Sequence, residues 1–403
     1  MSKPYDIMVI GGGILGLSSA RHLLTHLPNL KIGIIEKGIS LAQQQTGNNS
    51  GVVHSGIYYR PGSLKAKFCV NGRDSMIEFC EENEIPYDRC GKLIIATTPD
   101  ELPRLNDLYE RGIANGVQGL EKVGPERAAE IEPHVTTIEA LWSPATAIVD
   151  YTAVTNTYAQ QFQEMGGAVH LETELLGIKK SSTSTILETT QGTYETKHLI
   201  NCAGLHSDRI AKLMGTELDM QIIPFRGEYY TLQKEYEYLV NGLIYPVPNP
   251  ELPFLGVHFT RNIKGYVEAG PNAVLATARE GYRKRDLNLR DLSETLKFPG
   301  FWKVALREWR TGLDEVNRSL RKSVFTNDLQ KMIPSIESNH LKTGGAGVRA
   351  QAVRKDGSLI DDFVIERSTE AVHVLNAPSP GATSSIEIGK YIADLARDTF
   401  NIS

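Results

Sequence analysis

Apolar residues in the first 36 positions recur with two different periods. Short, mostly apolar runs over 6–10 and 31–35 are typical of buried strands. Between them, apolar residues are spaced three or four apart, as on one face of a helix, at Leu17, Ala20, Leu23 and Leu24. The pattern therefore predicts a strand–helix–strand (βαβ) unit at the start of the chain.

Both periods continue along the rest of the chain. Helices are predicted over 65–82, 101–115, 125–130, 151–165, 205–214, most of 286–330, and 386–400. Strands are predicted over 92–97, 168–171 and 198–201, with a hairpin at 185–188 and 193–196. Alternating strands with prolines fill 221–278, as expected of an antiparallel sheet. Small and polar residues predict loops at 41–62, 344–347 and 378–385.

A glycine motif stands where the first predicted strand meets the first predicted helix. Gly11, Gly13 and Gly16 form G-x-G-x-x-G, with Ile14 at the helix start and Glu36 after the second strand. This is the dinucleotide-binding fingerprint, in which the glycines allow a tight turn, approach of the pyrophosphate and close helix packing. The helix N-terminus attracts phosphate, and Glu36 can accept hydrogen bonds from the hydroxyl groups of a ribose. Because an acidic side chain at this position disfavours a 2′-phosphate, NADP is disfavoured as the cofactor.

The two kinds of pattern predict two domains. Cofactor-type features lie at the start, near 200 and at the end, and the antiparallel pattern lies between them. We predict an α/β fold in which a Rossmann-like cofactor domain, a parallel sheet flanked by helices, covers 1–85, 145–215 and 340–403. An α+β substrate domain built on an antiparallel sheet is then inserted as 86–144 and 216–339.

Composition narrows the class of protein. A net charge of −5 over 403 residues gives no sign of nucleic-acid binding. The four cysteines have neither CxxC nor metal-ligand spacing, so we expect no metal site and free thiols in a reduced, cytoplasmic setting. The chain opens directly on a strand, and no stretch approaches about 20 apolar residues. We therefore expect no leader peptide and no membrane-spanning helix.

Longer motifs give the chain a resemblance to a known family. They cover 45–59 (QTGNNSGVVHSGIYY), 61–67 (PGSLKAK), 90–92 (CGK), 148–151 (IVDY), 224–229 (PFRGEY), 253–258 (PFLGVH), 270–273 (GPNA), 347–352 (GVRAQA) and 376–380 (NAPSP). The chain resembles the FAD-dependent D-amino-acid-oxidase/glycerol-3-phosphate-dehydrogenase superfamily and, within it, the L-2-hydroxyglutarate dehydrogenases, also called oxidases. It departs from that family at Asn48, where His or Arg is expected, at Gly381, where Ala is usual, and at 277–278, where Phe-Lys is usual.

The resemblance implies a cofactor and a reaction. FAD would bind without a covalent link, and L-2-hydroxyglutarate would be oxidised to 2-oxoglutarate by hydride transfer from C2 to flavin N5. The electrons would pass to quinone or oxygen. Two alternatives stay open: a related flavoenzyme acting on glycerol 3-phosphate, another 2-hydroxy acid or an amino acid, and a flavoprotein that serves only as an assembly or electron-shuttling partner.

His54 is the predicted catalytic base. An alcohol proton is not acidic near neutral pH, so oxidation of a 2-hydroxy acid is helped by a nearby base. By resemblance His54 lies on the flavin-side loop, and an ordinary histidine pKa of about 6.5 suits the task. The alternative is a histidine that only hydrogen-bonds the backbone or the flavin.

The substrate's two carboxylates call for cations and hydrogen-bond donors. Arg226 and Arg349 are the predicted cations, since each lies in a motif of the resemblance with a glycine nearby. The predicted donors are Tyr58, Tyr59, Tyr245 and His258. The alternative for each is a core side chain with a satisfied polar tip.

Further cofactor contacts are predicted at loops and turns. They are Lys37, Thr46, Asn49, Ser50, Gly51, Val52, Ala203, Gly204, Gly347, Pro380, Gly381, Ala382 and Thr383. Cys69 and Cys202 are interpreted as buried structural thiols rather than nucleophiles.

Residues 298–310 suggest a peripheral contact with the inner face of the cell membrane. Apolar residues recur there at helical spacing, at Phe298, Phe301, Trp302, Ala305, Leu306 and Trp309. Basic residues lie mostly off that face or shortly before it, at Arg279, Arg283, Lys284, Arg285, Lys303, Arg307 and Arg310. A basic amphipathic helix with aromatic residues suits an anionic bilayer. The alternative is a stripe that packs on the substrate domain, with the helix start delayed by 299–300.

Overall fold

The computed structural model describes residues 4–181, 184–249 and 255–402. Pro253 and Phe254, which belong to one motif of the resemblance, lie outside these residues. The described chain forms three β-sheets with helices packed on their faces.

The strands, in chain order, are β1 (Tyr5–Ile10), β2 (Ile32–Ile35), β3 (Val52–Val53), β4 (Tyr87–Asp88), β5 (Lys92–Ala96), β6 (Glu121–Val123), β7 (Glu139–Ser143), β8 (Ala147–Val149), β9 (Ala168–His170), β10 (Leu175–Lys180), β11 (Thr185–Thr189), β12 (Gly192–Asn201), β13 (Met220–Leu232), β14 (Leu243–Pro246), β15 (His258–Arg261), β16 (Val267–Gly270), β17 (Val274–Leu275), β18 (Leu341–Arg354), β19 (Val364–Arg367) and β20 (Ala371–Asn376).

The α-helices are α1 (Ile14–His26), α2 (Leu64–Glu82), α3 (Leu102–Ala114), α4 (Pro125–Ile131), α5 (Tyr151–Glu164), α6 (Ser207–Leu213), α7 (Leu289–Lys297), α8 (Pro299–Arg307), α9 (Trp309–Leu320), α10 (Lys322–Gln330) and α11 (Ser385–Phe400). Within the described ranges, none of these helices is both long enough and apolar enough to cross a membrane.

The first sheet contains the predicted βαβ unit. Its parallel strands run in the order β20–β12–β1–β2–β9, and β10, β11 and β19 extend it by antiparallel pairing. Successive side chains of a strand point to opposite faces. Ile7 and Val9 accordingly pack in the core formed with α1, α5 and α11, whereas Met8 and Ile10 pack with Ile210 of α6. The predicted parallel sheet flanked by helices is confirmed.

The second sheet is almost entirely antiparallel. It runs β17–β13–β16–β15–β14–β5–β7–β6, with β18 also paired to β13 and only β5 and β14 running parallel. One face packs on Phe325 and Leu329 of α10, and the other face packs on Leu105 and Leu108 of α3. The antiparallel sheet predicted over 221–278 is confirmed, and four strands from elsewhere in the chain, β5, β6, β7 and β18, complete it.

The third sheet is small, but it positions the predicted base. Strand β8 pairs with β3 on one side and with β4 on the other. Strand β3 forms inside the segment 41–62, which the sequence predicts as loop, and it ends directly before His54.

The predicted loop at 344–347 is wrong, because these residues lie inside β18. Their small size reflects close packing instead. A Cβ on Gly344 would lie 2.9 Å from the carbonyl oxygen of Tyr229, and one on Gly347 would lie 2.7 Å from that of Asn48. Strand β18 is part of the antiparallel sheet, whereas the predicted division assigned residues from 340 onward to the cofactor domain. The domain boundaries stay a prediction.

The delayed helix start at 299–300 is also wrong. Pro299 occupies the first turn of α8, and the helix begins there. The first N–H groups of a helix have no partner within it, so a residue that lacks an N–H is well tolerated at this position.

Candidate functional site

The glycine motif forms the turn between β1 and α1. Gly11 has a φ of +109°, and a Cβ there would lie 2.5 Å from the carbonyl oxygen of Cys202. A Cβ on Gly16 would lie 2.1 Å from the carbonyl oxygen of Gly11. Both positions therefore require glycine. Gly13 provides no side-chain cap for α1, which leaves a helix N-terminus suited to phosphate.

The acidic residue after β2 is held by the backbone. Glu36 accepts hydrogen bonds from the N–H groups of Gly12 at 2.8 Å and Gly38 at 2.7 Å. Because a carboxylate has about four acceptor positions, its oxygens keep capacity for ribose hydroxyls. Lys37 instead forms an ion pair with Glu280. This ion pair joins the end of β2 to the segment that carries Glu280. A contact between Lys37 and the cofactor stays a prediction.

Polar side chains shape the loop before β3. Thr46 Oγ1 accepts a hydrogen bond from the N–H of Ile14 at 3.2 Å, so the loop lies against the start of α1. Asn49 donates to two backbone carbonyls of the same loop and accepts from the N–H of Gly51. Asn48, the departure from the family pattern, donates to two further carbonyls at 2.8 Å. An asparagine at position 48 therefore fastens the turn.

Thr383 connects this loop to the turn before α11. Its buried hydroxyl accepts a hydrogen bond from the N–H of His54 at 3.1 Å and donates to the carbonyl oxygen of Val52 at 3.2 Å. The phenol of Tyr151 lies 3.1 Å from the same hydroxyl and donates to Val52 at 2.9 Å. Thr383 and Tyr151 together fix the backbone that carries His54.

A cavity of about 390 Å³ lies between this loop and the antiparallel sheet. Four predicted cofactor residues, Thr46, Asn49, Gly51 and Gly347, line it together with Tyr229 of β13. Gly51 has a φ of +69°, and a Cβ there would lie 2.8 Å from a backbone oxygen. Residues from the start and the end of the chain therefore meet at one cavity.

The remaining predicted cofactor residues lie at two other turns and within the loop. Ala203 and Gly204 follow β12, and a Cβ on Gly204 would lie 2.9 Å from the side-chain oxygen of Gln45. Residues 380–382 belong to the turn between β20 and α11. Ser50 is half-buried in the loop before β3.

These elements fit a flavin dinucleotide. The N-terminus of α1, where Thr46 accepts from the N–H of Ile14 and Gly13 adds no side-chain cap, suits the pyrophosphate. Glu36 suits the ribose, and the glycine-lined cavity admits a ring close to the backbone. The residues that would hold FAD are thus the glycine turn, Glu36, the loop over 46–52 and the turn over 380–383.

Most predicted catalytic and substrate residues lie in one group. The rings of Tyr245 and His258 stack with centroids 3.9 Å apart. Burial and the nearby charges of Arg349 and Lys92 lower the pKa of His258 to about 3. His258 in turn contributes to the lowered pKa of His54. We define the His54 cluster as His54, Tyr58, Tyr59, Tyr245, His258 and Arg349.

Two further residues lie with the His54 cluster and were missed by the sequence analysis. The Nζ atom of Lys92 lies 4.6 Å from the ring centroid of Tyr58 and 5.0 Å from that of Tyr245. Burial raises the pKa of Tyr229 to about 12. The nearby positive charge of Arg349 partly opposes this rise, which places Tyr229 close to the arginine. The signal for Lys92 was a charge at the start of an otherwise apolar strand, inside the motif over 90–92.

His54 is buried in surroundings that disfavour a positive charge on its ring. Its Nδ1 atom is buried and has no hydrogen-bond partner, although the ring keeps some accessible surface. Burial, then the charges of Lys92 and His258, lower the pKa of His54 to about 3. The imidazole is therefore neutral near pH 7, and the same lowered pKa makes it a weaker proton acceptor than an ordinary histidine.

Arg226 has a structural environment. Its Nε and Nη2 atoms bond to Glu228 at 3.1 and 2.8 Å, and its Nη1 atom donates to the carbonyl of Arg283 at 3.2 Å. The side chain is buried in this ion pair. The predicted role of Arg226 in substrate binding stays untested, and its own bonds already use most of its donors.

The cysteines singled out in the sequence have the chemistry of structural thiols. Cys69 donates to the carbonyl oxygen of His54 at 3.3 Å. Burial raises the pKa of both Cys69 and Cys202 to about 12. Neither thiol is a nucleophile at neutral pH.

The fold and these residues define the class of protein. Residues 6–395 match the model of a family described as FAD dependent oxidoreductase (DAO), and the chain belongs to this family. The predicted superfamily and cofactor class are confirmed.

Individual relatives are similar over nearly their whole length. L-2-hydroxyglutarate dehydrogenase of Indibacter alkaliphilus is 49% identical over 397 residues, covering 98% of this chain and 100% of that protein. The Escherichia coli strain K12 protein of that name is 45% identical over 389 residues, covering 96% and 92%. The mitochondrial one of Nematostella vectensis is 44% identical over 420 residues, covering 100% and 92%.

Solved structures share the fold at lower identity. L-alpha-glycerophosphate oxidase from Mycoplasma pneumoniae, with FAD bound, superposes with a TM-score of 0.79 at 22% identity, covering 100% of this chain and 96% of that one. Glycine oxidase from Geobacillus kaustophilus gives a TM-score of 0.72 at 17% identity, covering 98% and 95%. These similarities show the fold alone.

The lowered pKa of His54 predicts a particular pH dependence. A base must be unprotonated to act, and His54 stays unprotonated far below the usual histidine range. We therefore expect kcat/KM for anaerobic flavin reduction by a 2-hydroxy acid to show no acid-side fall between about pH 5 and pH 7. Stopped-flow absorbance measures this rate. A fall with an apparent pKa near the ordinary value of about 6.5 would contradict the assignment.

Proposed function

We propose that this protein oxidises L-2-hydroxyglutarate to 2-oxoglutarate with bound FAD. Relatives 44–49% identical over nearly the whole chain carry the name L-2-hydroxyglutarate dehydrogenase. The observation that carries the proposal is a neutral histidine, His54, grouped with two cations, Arg349 and Lys92. Such a group supplies a base and counter-charges for an anionic 2-hydroxy acid.

The residues of the His54 cluster divide the work. Bound FAD supplies the acceptor for the hydride that leaves C2. His54 accepts the hydroxyl proton as the C2–O bond becomes a carbonyl, a role worth about 10²–10⁴-fold in rate. Thr383 and Tyr151 hold the His54 backbone in place through their hydrogen bonds to residues 52–54.

The tyrosines serve as hydrogen-bond donors to the substrate. Burial raises the pKa of Tyr58 well above its ordinary value, so its phenol keeps its proton at any working pH. The Tyr58 hydroxyl is buried without a hydrogen-bond partner, which leaves it available to a substrate oxygen. Arg349 supplies a guanidinium, which binds carboxylate bidentately.

A second enzyme function is oxidation of glycerol 3-phosphate or an amino acid. Proteins of similar fold include glycerophosphate and glycine oxidases, at identities that support the fold alone. The cations Arg349 and Lys92 disfavour a protonated amine near His54. The phosphate of glycerol 3-phosphate is compatible with these cations. Reduction of the bound flavin is therefore needed to distinguish glycerol 3-phosphate from L-2-hydroxyglutarate as the substrate.

Anaerobic titration of the holoenzyme separates these functions. We expect L-2-hydroxyglutarate to bleach the oxidised-flavin absorbance, and glycerol 3-phosphate, glycine and D-2-hydroxyglutarate to leave it unchanged. Failure of every hydroxy acid, amino acid and glycerol 3-phosphate to bleach the flavin would overturn both enzyme functions.

Paired histidine variants complete this experiment. His54→Gln removes the base and is expected to slow bleaching by about 10²–10⁴-fold while the flavin stays bound. His26→Gln changes an exposed histidine at the end of α1 and should leave the rate unchanged. Equal rates in both variants would show that His54 is not the base.

We also propose a membrane-facing surface on α8 and α9. Phe298 is buried against Ile223 and Val353, and Arg279 is buried in an ion pair with Asp208. Neither residue is therefore available to a membrane. A different set continues across both helices at helical spacing and is 46–75% exposed: Trp302, Leu306, Trp309, Leu313, Val316 and Leu320. We name these six residues the α8–α9 stripe.

The charges beside the α8–α9 stripe suit an anionic bilayer. Lys303, Arg307 and Arg310 are exposed on the same two helices, and 283–285 adds three more exposed basic residues. Exposed tryptophan and leucine with flanking cations are the pattern of helices that lie in a membrane interface. This surface favours quinone over oxygen as the electron acceptor, because quinone is dissolved in the bilayer.

Flotation with vesicles of phosphatidylglycerol and phosphatidylcholine tests this surface. We expect the parent protein to float with the vesicles and Trp302→Glu/Trp309→Glu to stay at the bottom, because two charges would have to enter the apolar layer. Leu176→Glu/Tyr238→Glu is the matched control, since both residues are exposed elsewhere, at 60% and 64%. Unchanged flotation of a correctly folded Trp302→Glu/Trp309→Glu protein would refute the membrane surface.

A further inference from the structure

Lys92 is an exception among the buried cations. Four Lys or Arg side chains are buried in the described ranges: Arg73, Lys92, Arg226 and Arg279. Each arginine pairs with a carboxylate, of Asp74, Glu228 and Asp208 respectively. Lys92 is only 1% exposed. Within the described ranges, no carboxylate oxygen lies within 4.0 Å of its Nζ atom.

The surroundings of Lys92 stabilise a cation only partly. Its ammonium lies near the rings of Tyr58 and Tyr245, whose faces attract positive charge. Burial still lowers the pKa of Lys92 to about 8, so the ammonium form predominates at neutral pH. A buried charge without a partner is strongly unfavourable, so an anionic ligand that pairs with Lys92 would be strongly stabilised there.

The position of Lys92 indicates where that counter-ion binds. Lys92 begins β5, and its charge acts on both His54 and His258. Arg349, on β18, also acts on His258. Two cations carried by different strands therefore share the His54 cluster, and a ligand there with two separated negative charges would neutralise both.

We propose that Lys92 is a specificity-determining residue whose ammonium binds the carboxylate of the substrate that is remote from C2. The inference rests on the proposed function and names the feature of the substrate that it selects. Gly347, two residues before Arg349 on β18, packs on the loop at Asn48. We therefore assign Arg349, within this proposal, to the carboxylate next to the reacting carbon. Lys92 then receives the other one. A 2-hydroxy acid with one carboxylate leaves Lys92 without its counter-ion.

The test compares two ligands that differ by one carboxylate. Glutarate and pentanoate have chains of equal length, and binding of each to the FAD-loaded protein is measured by the change in flavin absorbance. Lys92→Met removes the charge and keeps the length of the side chain. We expect Lys92→Met to weaken glutarate binding by about 10- to 100-fold and to change pentanoate binding by less than about threefold. Lys212→Met, at an exposed lysine of α6, is the matched control and should change neither.

Kinetics and folding provide readouts that a structural role would not reproduce. With L-2-hydroxyglutarate as the substrate, we expect Lys92→Met to raise KM by about 10- to 100-fold and to change kcat much less. This is the result expected when a lost interaction stabilises the bound substrate and the transition state equally. The thermal midpoint of the variant should be equal to or above that of the parent, because an apolar side chain replaces an unpaired buried charge.

Two outcomes would overturn the inference. Unchanged glutarate affinity in a folded, FAD-loaded Lys92→Met protein would show that the ammonium does not bind the substrate. Equal weakening for glutarate and pentanoate would show that it does not select the second carboxylate. Failure of the parent protein to bind glutarate or to be reduced by L-2-hydroxyglutarate would instead overturn the proposed function, so the two failures are distinguishable.

Discussion

The arrangement of the whole site depends on one buried hydroxyl group. Thr383, just before the last helix, bonds to the backbone on both sides of residue 53 and so sets the position of His54. Its partner Tyr151 adds a second bond to Val52. The loop with the predicted flavin contacts and the strand end with the predicted base are therefore held by a residue more than 300 positions away in sequence.

Electrostatics then distinguishes structural from chemical charges. Arg226 and Arg279 are buried, but each has a carboxylate partner, as structural ion pairs require. Lys92 has aromatic faces and neutral histidines instead. The same burial that keeps His54 neutral leaves the positive charge of Lys92 uncompensated. In the proposed reaction, proton transfer and anion binding therefore both depend on one poorly solvated group of side chains.

Local patterns predicted what depends on local sequence. The glycine turn and the strands around it follow from 6–36, and the His54 cluster follows mostly from motifs. The sequence misplaced what depends on a distant partner: 344–347 forms a strand only because β13 supplies its hydrogen bonds. The assignment of Arg226 to the substrate stays a prediction; what the sequence analysis did not foresee is its ion pair with Glu228, which lies two residues on and hence on the same face of the strand. Lys92 was missed although its charge at the start of an otherwise apolar strand was a signal, because periodicity alone does not show that the charge is buried.

The central claim is that the His54 cluster is the binding site for a dicarboxylic 2-hydroxy acid. A crystal structure of the FAD-loaded protein with bound glutarate tests it most directly. We expect one carboxylate of glutarate at hydrogen-bonding distance, about 3 Å, from Arg349 and the other at a similar distance from Lys92. His54 should lie beside the glutarate carbon that corresponds to C2 of the substrate, next to the carboxylate bound by Arg349. Glutarate bound away from these three residues, or Lys92 contacting the flavin with no carboxylate near it, would contradict the account.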